Sequence, residues 1–121
     1  MSYESRVFIV NRNEIEHGNE KFYVYAEQIA DIKMGNMYDG FTDLFDKKVG
    51  YELYVDSGDE TTQTDKYGET MRYTNCKTVI AYLENLIADG KSYRRLTMLL
   101  GLLKGINEEE WNDIQIVHYG Y

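Results

Sequence analysis

Five stretches of the chain have the two-residue period or the β-branched residues that are typical of a β-strand. The second stretch keeps one parity over thirteen residues. It predicts either one long strand or two strands that meet at a bend near Glu27 and Gln28. Ser57-Gly58 separates the third stretch from the fourth, and this pair favours a hairpin turn because glycine tolerates positive φ. The five predicted strands cover residues 5–11, 22–34, 51–56, 60–65 and 113–121.

The faces of three of these strands can be assigned from the alternation. In the first strand, Val7 and Ile9 share one face, while Phe8 and Val10 share the other. In the last strand, His118 follows two isoleucines of the same parity, so we expect it at the margin of the core. The strand over 60–65 has threonines but no large apolar residue, which is typical of an exposed edge ribbon.

Helical periods occupy the second half of the chain. The pattern predicts helices over 76–88 and 93–104, with Asn75 or Thr74 and then Ser92 as N-terminal caps and Gly105 as a stop. A short helix or turn is expected in 41–48, with Phe41, Leu44 and Phe45 pointing inward. Asn107 begins a capping-box pattern that Glu110 completes, and Trp111 would anchor that turn.

The order of elements is β-β-(short helix)-β-β-α-α-β. The length of the chain suits one domain over residues 1–121. We therefore predict an α+β fold with an antiparallel or mixed sheet of about five strands and two consecutive helices packed on one face. The second helix has an apolar arc wider than one neighbour can cover. Met98 and Leu102 widen it, and we interpret them as a candidate contact with a second subunit or a partner.

A formal net charge of −8 changes the range of partners. Nucleic acid is disfavoured as a direct ligand, because binding to phosphates depends on positive charge. An acidic surface can instead meet a basic protein partner. No apolar stretch is long enough to span a membrane, and a single cysteine suits a reducing compartment, so we expect a cytoplasmic protein with no membrane contact.

The stretch YVDSGDETTQTDKYGE, residues 54–69, carries five carboxylates in sixteen residues. A calcium loop needs oxygen ligands at fixed intervals that converge on one ion. The spacing of these acids does not match that pattern, and we favour a solvated hairpin over a metal site. Its candidate interaction residues are Asp56, Asp59, Glu60 and Asp65.

Few other residues indicate chemistry. Zinc sites usually combine three or four ligands, and neither His17 nor His118 has a second ligand at metal-binding spacing. We interpret His118 as a hydrogen-bonded residue, with a catalytic base as the alternative. Cys76 could have a lowered thiol pKa at a helix N-terminus, but a small residue in the first helical turn is the favoured interpretation. The cationic run Lys91, Arg94 and Arg95 could bind an anion, although a surface ion-pair patch is favoured. No cofactor motif is present.

The chain contains twelve tyrosines. Tyr23, Tyr25 and Tyr54 project from predicted strands on the side away from the aliphatic residues. Exposed tyrosines suit protein contacts, because each ring adds contact area at low entropy cost. The alternative, that these rings only cover the second face of a twisted sheet, stays open.

The stretches YRRLTMLLGLLKG (93–105), EEEW and the terminal VHYGY resemble small uncharacterised proteins that phages and integrated elements of Gram-positive bacteria encode. The resemblance lies mainly in residues 93–121. It implies a phage or mobile-element origin and an accessory, non-enzymatic role. It implies no catalytic residues.

We therefore predict a small acidic protein that is not an enzyme and acts by binding a protein partner. Acids of 56–69 and 108–110 would steer a basic partner, and the exposed tyrosines would supply contact area. Three alternatives stay open: a structural homo-oligomer, a small-ligand binder or enzyme with a pocket near His118, and an inhibitor that mimics nucleic acid.

Overall fold

The computed structural model of the chain describes residues 4–17, 20–35, 40–50, 52–55, 61–90 and 94–121, and of 12–17 and 20–27 it describes the backbone alone. The strands are β1 (Ser5–His17), β2 (Glu20–Gly35), β3 (Lys47–Lys48), β4 (Arg72–Thr74) and β5 (Ile114–Gly120). The helices are α1 (Cys76–Ala88) and α2 (Arg94–Lys104). Two short 3-10 helices span Thr42–Leu44 and Glu108–Asp113.

The five strands form one sheet in the order β2-β1-β5-β4-β3, and every neighbouring pair is antiparallel. Both long helices contribute to a core cluster on one face of this sheet, where Val79, Leu83 and Leu99 meet Ile9 and Ile116. The α+β fold with two consecutive helices on one face is therefore confirmed. Among the described residues, no helix combines the length and the apolar character that crossing a bilayer requires.

Strand β1, which lies between β2 and β5, is buried on both faces over residues 7–10. Val7 and Ile9 belong to the cluster under the helices, whereas Phe8 and Val10 belong to a second cluster on the opposite face. The predicted face assignment of this strand is confirmed. Because apolar side chains leave β1 in both directions, each face of the sheet needs its own covering layer.

The second layer is formed by the chain between β3 and β4. Its buried members are Val49, Leu53, Val55 and Met71, which pack with Phe8, Val10 and Val117. Leu53 and Thr62 exchange both backbone hydrogen bonds at 2.9 Å and form an isolated antiparallel bridge. The layer is therefore a compact, largely irregular cover rather than part of the main sheet.

This layer corrects two of the predicted strands. Residues 52–55 and 61–65, the described parts of these two predicted strands, do not enter the five-stranded sheet; β4 pairs with β5 there instead, and β3 forms the edge. The reason is that Leu53 and Val55 bury more apolar surface by lying on the sheet face than an edge ribbon would allow. The sequence pattern missed β4 because three residues are too short to display a period.

Arg6 ties the second layer to the sheet. Its guanidinium forms a two-pronged ion pair with Asp31 of β2 and donates to the backbone oxygen of Val55 at 2.7 Å. The same group lies 5.0 Å from the ring centroid of Phe8 and 5.7 Å from that of Tyr119. A planar, multiply donating cation suits this position, since one side chain joins two strands, the cover and two aromatic rings.

Strand β2 is continuous, but the prediction that its side chains alternate between the two faces with one parity throughout was wrong. It has sixteen residues against thirteen in β1, and three register shifts absorb the difference. At one shift, Ile9 pairs with Ala30 and Val10 pairs with Gln28, which leaves Ile29 as an extra residue. Such a bulge reverses the faces on its two sides. Ala30 accordingly packs under the helices, while Gln28 donates to the Tyr54 backbone oxygen on the other face at 2.6 Å.

The helices lie close to where the sequence places them. Helix α1 has the predicted bounds, and the Asn75 side chain caps it by accepting from the Thr78 N–H at 2.9 Å. Gly90 follows α1 with a φ of 87°, a value that side-chain-bearing residues rarely adopt. Helix α2 begins at Arg94, and Ser92 lies outside the described residues.

The remaining predictions on the helical side are partly confirmed. Phe41 and Phe45 are buried and Leu44 packs against them, as expected. The Trp111 indole is half-buried and donates to the Ile106 oxygen at 3.0 Å, so it anchors its turn. Asn107 begins that turn through its backbone oxygen, and the predicted side-chain cap is absent.

The second layer can be tested by comparing two neighbouring residues. Leu53 is 2% exposed and Tyr54 is 55% exposed. We expect Leu53→Ala to lower the free energy of unfolding by about 3 kcal/mol, because it leaves a cavity under the cover. Tyr54→Ala, the matched control, should change it by less than about 0.5 kcal/mol. Urea unfolding measures both, and equally small losses would contradict a packed second layer.

Candidate functional site

A cleft opens where β4 and β5 meet the 3-10 helix of residues 42–44, and we call it the His118 cleft. Its volume is about 420 Å³. The floor combines aromatic and apolar groups with the imidazole, and the rim carries carboxylates. It is lined by Thr42, Asp43, Phe45, Asp46, Asp65, Glu69, Thr70, Met71, Arg72 and His118.

The wall that carries Asp65 is a tight, self-bonded turn. One carboxylate oxygen of Asp65 accepts from the backbone N–H groups of Tyr67 at 2.8 Å and Glu69 at 3.1 Å. The backbone closes the same turn, because Gly68 N–H donates to the Asp65 oxygen and Asp65 N–H donates to the Glu69 oxygen. Gly68 has a φ of 80°, which a glycine tolerates without strain. The turn therefore presents Asp65 and Glu69 from a fixed backbone.

His118 forms the inner end of the cleft and is only 8% exposed. Its Nε2 lies 2.8 Å from the Ser5 hydroxyl oxygen, and its ring centroid lies 5.3 Å from that of Phe45. Burial lowers the pKa of the imidazole from 6.5 to about 4, and the negative charge of Asp65 opposes this shift only in part. His118 is therefore neutral at neutral pH. Its predicted position, hydrogen-bonded at the core margin, is confirmed.

Negative charge dominates the rim. Four carboxylates line the cleft, namely those of Asp43, Asp46, Asp65 and Glu69, against one guanidinium, that of Arg72. Four negative charges and one positive charge leave a formal excess of three negative charges. The Arg72 guanidinium also donates to the Asp46 backbone oxygen at 3.4 Å, which holds the cation at one side. A cleft with this lining favours a cationic group and disfavours a phosphate.

A neighbouring depression shares part of this rim. It has a volume of about 360 Å³ and also contacts Asp43 and Asp46, while Lys47, Tyr73 and Asn75 line its far side. The two carboxylates thus stand on a ridge between two openings. A ligand longer than one side chain could lie across this ridge.

The hydroxyl of Ser5 and the thiol of Cys76, two potential nucleophiles, are both buried. Ser5, whose hydroxyl contacts His118, is only 2% exposed and does not line the cleft, so this contact links β1 to β5. Cys76 is fully buried, and burial raises the pKa of its thiol to about 11. The alternative of an activated thiol at the start of α1 is therefore wrong, since burial outweighs the helix dipole there.

The predicted interaction residues are not brought together in one place. Asp65 is half-buried in the cleft wall, and Tyr54 is exposed on the second layer. Met98 and Leu102 are exposed on α2. Tyr23 and Tyr25 lie in β2 opposite Ile15 and Asn13 of β1, in a part where the structure describes no side chains. Asp56, Asp59 and Glu60 lie outside the described residues.

Residues 56–60 of the acidic stretch at 54–69 lie outside the described residues. Within the portion of the chain that the structure describes, no group of three or more His, Cys, Asp or Glu side chains could hold a metal ion. Asp65 uses one of its oxygens for its own turn, as an Asx turn does.

Sequence reasoning missed most of the cleft. Asp43, Asp46, Glu69 and Arg72 come from three separate segments, and none of them stands in a recognisable motif. The available signal was the acidic pair Asp43 and Asp46 beside two inward-pointing phenylalanines. That spacing is too common to indicate a site without the fold that brings β4 and β5 beside it.

Comparisons with known proteins add no further assignment. No protein-family model, no curated protein and no solved structure matches this chain.

The depressed pKa of His118 predicts a specific pH dependence of stability. Its folded-state value, about 4, lies below the ordinary 6.5, so the unfolded chain binds more protons between these values. The contribution of neutral His118 is full above pH 6.5 and is lost as the pH falls toward 4. At a pH of about 5, the loss should be roughly 2 kcal/mol.

Urea unfolding of the natural protein and of His118→Gln across this pH range measures the effect. Glutamine can still bond the Ser5 hydroxyl and does not titrate, so its curve should be flatter. The carboxylates titrate in both proteins and cancel in the comparison. Parallel curves for the two proteins would show that His118 is not buried in its neutral form.

Proposed function

We propose that this protein is a non-enzymatic binding module that takes a basic segment of a protein partner into the His118 cleft. The observation that carries the proposal is the excess of carboxylates around a cleft of about 420 Å³ whose floor is aromatic and uncharged. A lysine or arginine side chain has an apolar stem and a cationic end, which suits a floor of Phe45 and Met71 below a rim of acids.

The shape of the rim favours a peptide over an isolated side chain. Asp43 and Asp46 border both the cleft and the neighbouring depression, so a chain that crosses the ridge can place a basic residue on each side. The charge of the whole protein, −8, would also attract a basic partner from a distance. Steering by Asp56, Asp59 and Glu60 stays a prediction of the sequence.

A second candidate is a small cationic molecule, such as a polyamine, in the same cleft. The cleft volume lies within the range of small-molecule sites, about 300–1,000 Å³. We place it second because exposed carboxylates surround an opening that is poorly enclosed by apolar groups. The resemblance of residues 93–121 supports an accessory protein of a phage or mobile element, which would act in the bacterial cytoplasm. Mimicry of nucleic acid stays a prediction.

The proposal is tested by neutralising the rim. A triple variant, Asp43→Asn, Asp46→Asn and Glu69→Gln, removes three exposed charges while keeping the side-chain shapes. A fluorescein-labelled peptide of alternating arginine and glycine serves as the probe, with fluorescence anisotropy as the measurement. We expect about tenfold weaker binding, because each exposed charge pair contributes roughly 0.5 kcal/mol. Added salt should weaken binding to the natural protein more than to the variant.

The matched control removes the same charge elsewhere. Glu108→Gln, Glu109→Gln and Glu110→Gln lie in the turn before β5, and His118 is about 13 Å farther along that strand. This control should bind the peptide like the natural protein, a result that would contradict the sequence-based prediction that the acids of 108–110 steer the partner. Equal losses in both triple variants would contradict a site in the cleft and indicate attraction by net charge alone. Tighter binding of spermidine than of the peptide would favour the second candidate.

A further inference from the structure

The outer face of α2 carries exposed apolar side chains that nothing in the described chain covers. Met98 is 61% exposed and Leu102, one turn later, is 39% exposed. Leu96, Leu99 and Leu103 lie on the opposite face of α2 and are buried in the core cluster. The helix therefore already packs against the core through that face. Met98 and Leu102 therefore add to no packing that the fold itself requires.

Gly101 also lies on that outer face, on the other side of Met98 from Leu102. With 100° per residue, it stands 60° from Met98 around the helix axis, on the side away from the buried leucines. A glycine in a helix interior weakens the helix relative to alanine. A β-carbon built at Gly101 meets no described atom within 4 Å, so packing inside the chain does not explain the residue. A glycine of this kind is explained when another backbone or side chain approaches the helix closely.

The charges along α2 indicate what approaches. The helix begins with Arg94 and Arg95 and contains no acidic residue, and the exposed acids Glu108–Glu110 follow its last residue by four positions. Its N-terminal end is thus basic, and the chain just past its C-terminal end is acidic. A second copy turned antiparallel places each basic end beside the other copy's acidic turn, whereas a parallel copy would oppose like charges.

We propose that the outer face of α2 is a two-fold interface with a second copy of this chain, in which the two α2 helices pack antiparallel and cross at Gly101. Met98 of each copy lies against Leu102 of the other and enters the space above its Gly101. The contact is isologous, so it closes at a dimer. The Lys104 ammonium lies 3.5 Å from a carboxylate oxygen of Glu84 in the same chain. Its positive charge is therefore balanced there and adds little repulsion between the two copies.

Sedimentation velocity over a concentration series tests this proposal on the full chain. The natural protein should show a reversible monomer–dimer equilibrium. Gly101→Leu fills the crossing point in both copies and should weaken dimerisation about a hundredfold, since each substitution acts twice. Ala81→Leu adds a similar apolar group at an exposed position of α1 and should leave the dimer intact.

Two further variants separate association from folding and test the orientation. Gly101→Ala should raise the urea midpoint of the dilute monomer, because alanine favours the helix, while it weakens the dimer. Arg94→Glu with Arg95→Glu should weaken the dimer about tenfold, and adding Glu108→Lys with Glu109→Lys should restore it. A natural protein that stays monomeric at its highest attainable concentration would overturn the proposal. So would a dimer that survives Gly101→Leu, or a charge exchange that restores nothing.

Discussion

The fold depends on the burial of β1 from both sides. The four residues Val7 to Val10 are fully buried, two of them under the helices and two under the chain that covers the opposite face. A strand of this kind cannot be stable with one layer, because Phe8 and Val10 would be left in water. The cover in turn contains little regular backbone pairing of its own. It is held by apolar contacts and by Arg6, which bonds the Val55 oxygen while paired with Asp31.

The same arrangement creates the His118 cleft. When the chain leaves the cover, it enters β4 beside β5, and the Asp65 turn is left at the end of β5 above His118. Phe41 and Phe45 close the helix side of the same strand end and exclude water from the imidazole. The carboxylates of the rim thus stand on segments that each serve the core. We infer that the cleft keeps its shape without a ligand, because the groups that position it are packed or hydrogen-bonded.

Net charge is a poor guide to the individual surfaces of this protein. The chain carries −8, and the rim of the cleft agrees with that sign. The outer face of α2 has the opposite character, since arginines begin the helix and acids are absent from it. A protein with one acidic recess and one apolar, partly basic helix face is suited to two different contacts. The composition alone suggested only the first.

The sequence by itself determined three elements: the strand at 5–11 with its two faces, although β1 continues to His17; the helix at 76–88, with Asn75 as one of its two candidate caps; and the closing strand. In these segments the local period and the tertiary environment agree. Only the tertiary structure decided the rest. The bulge at Ile29 reverses the parity of β2, and Leu53 covers the sheet instead of extending it. Both outcomes depend on burying apolar area that forms only when distant segments meet, and so does the clustering of the acids in the cleft. The local sequence pattern cannot predict such contacts.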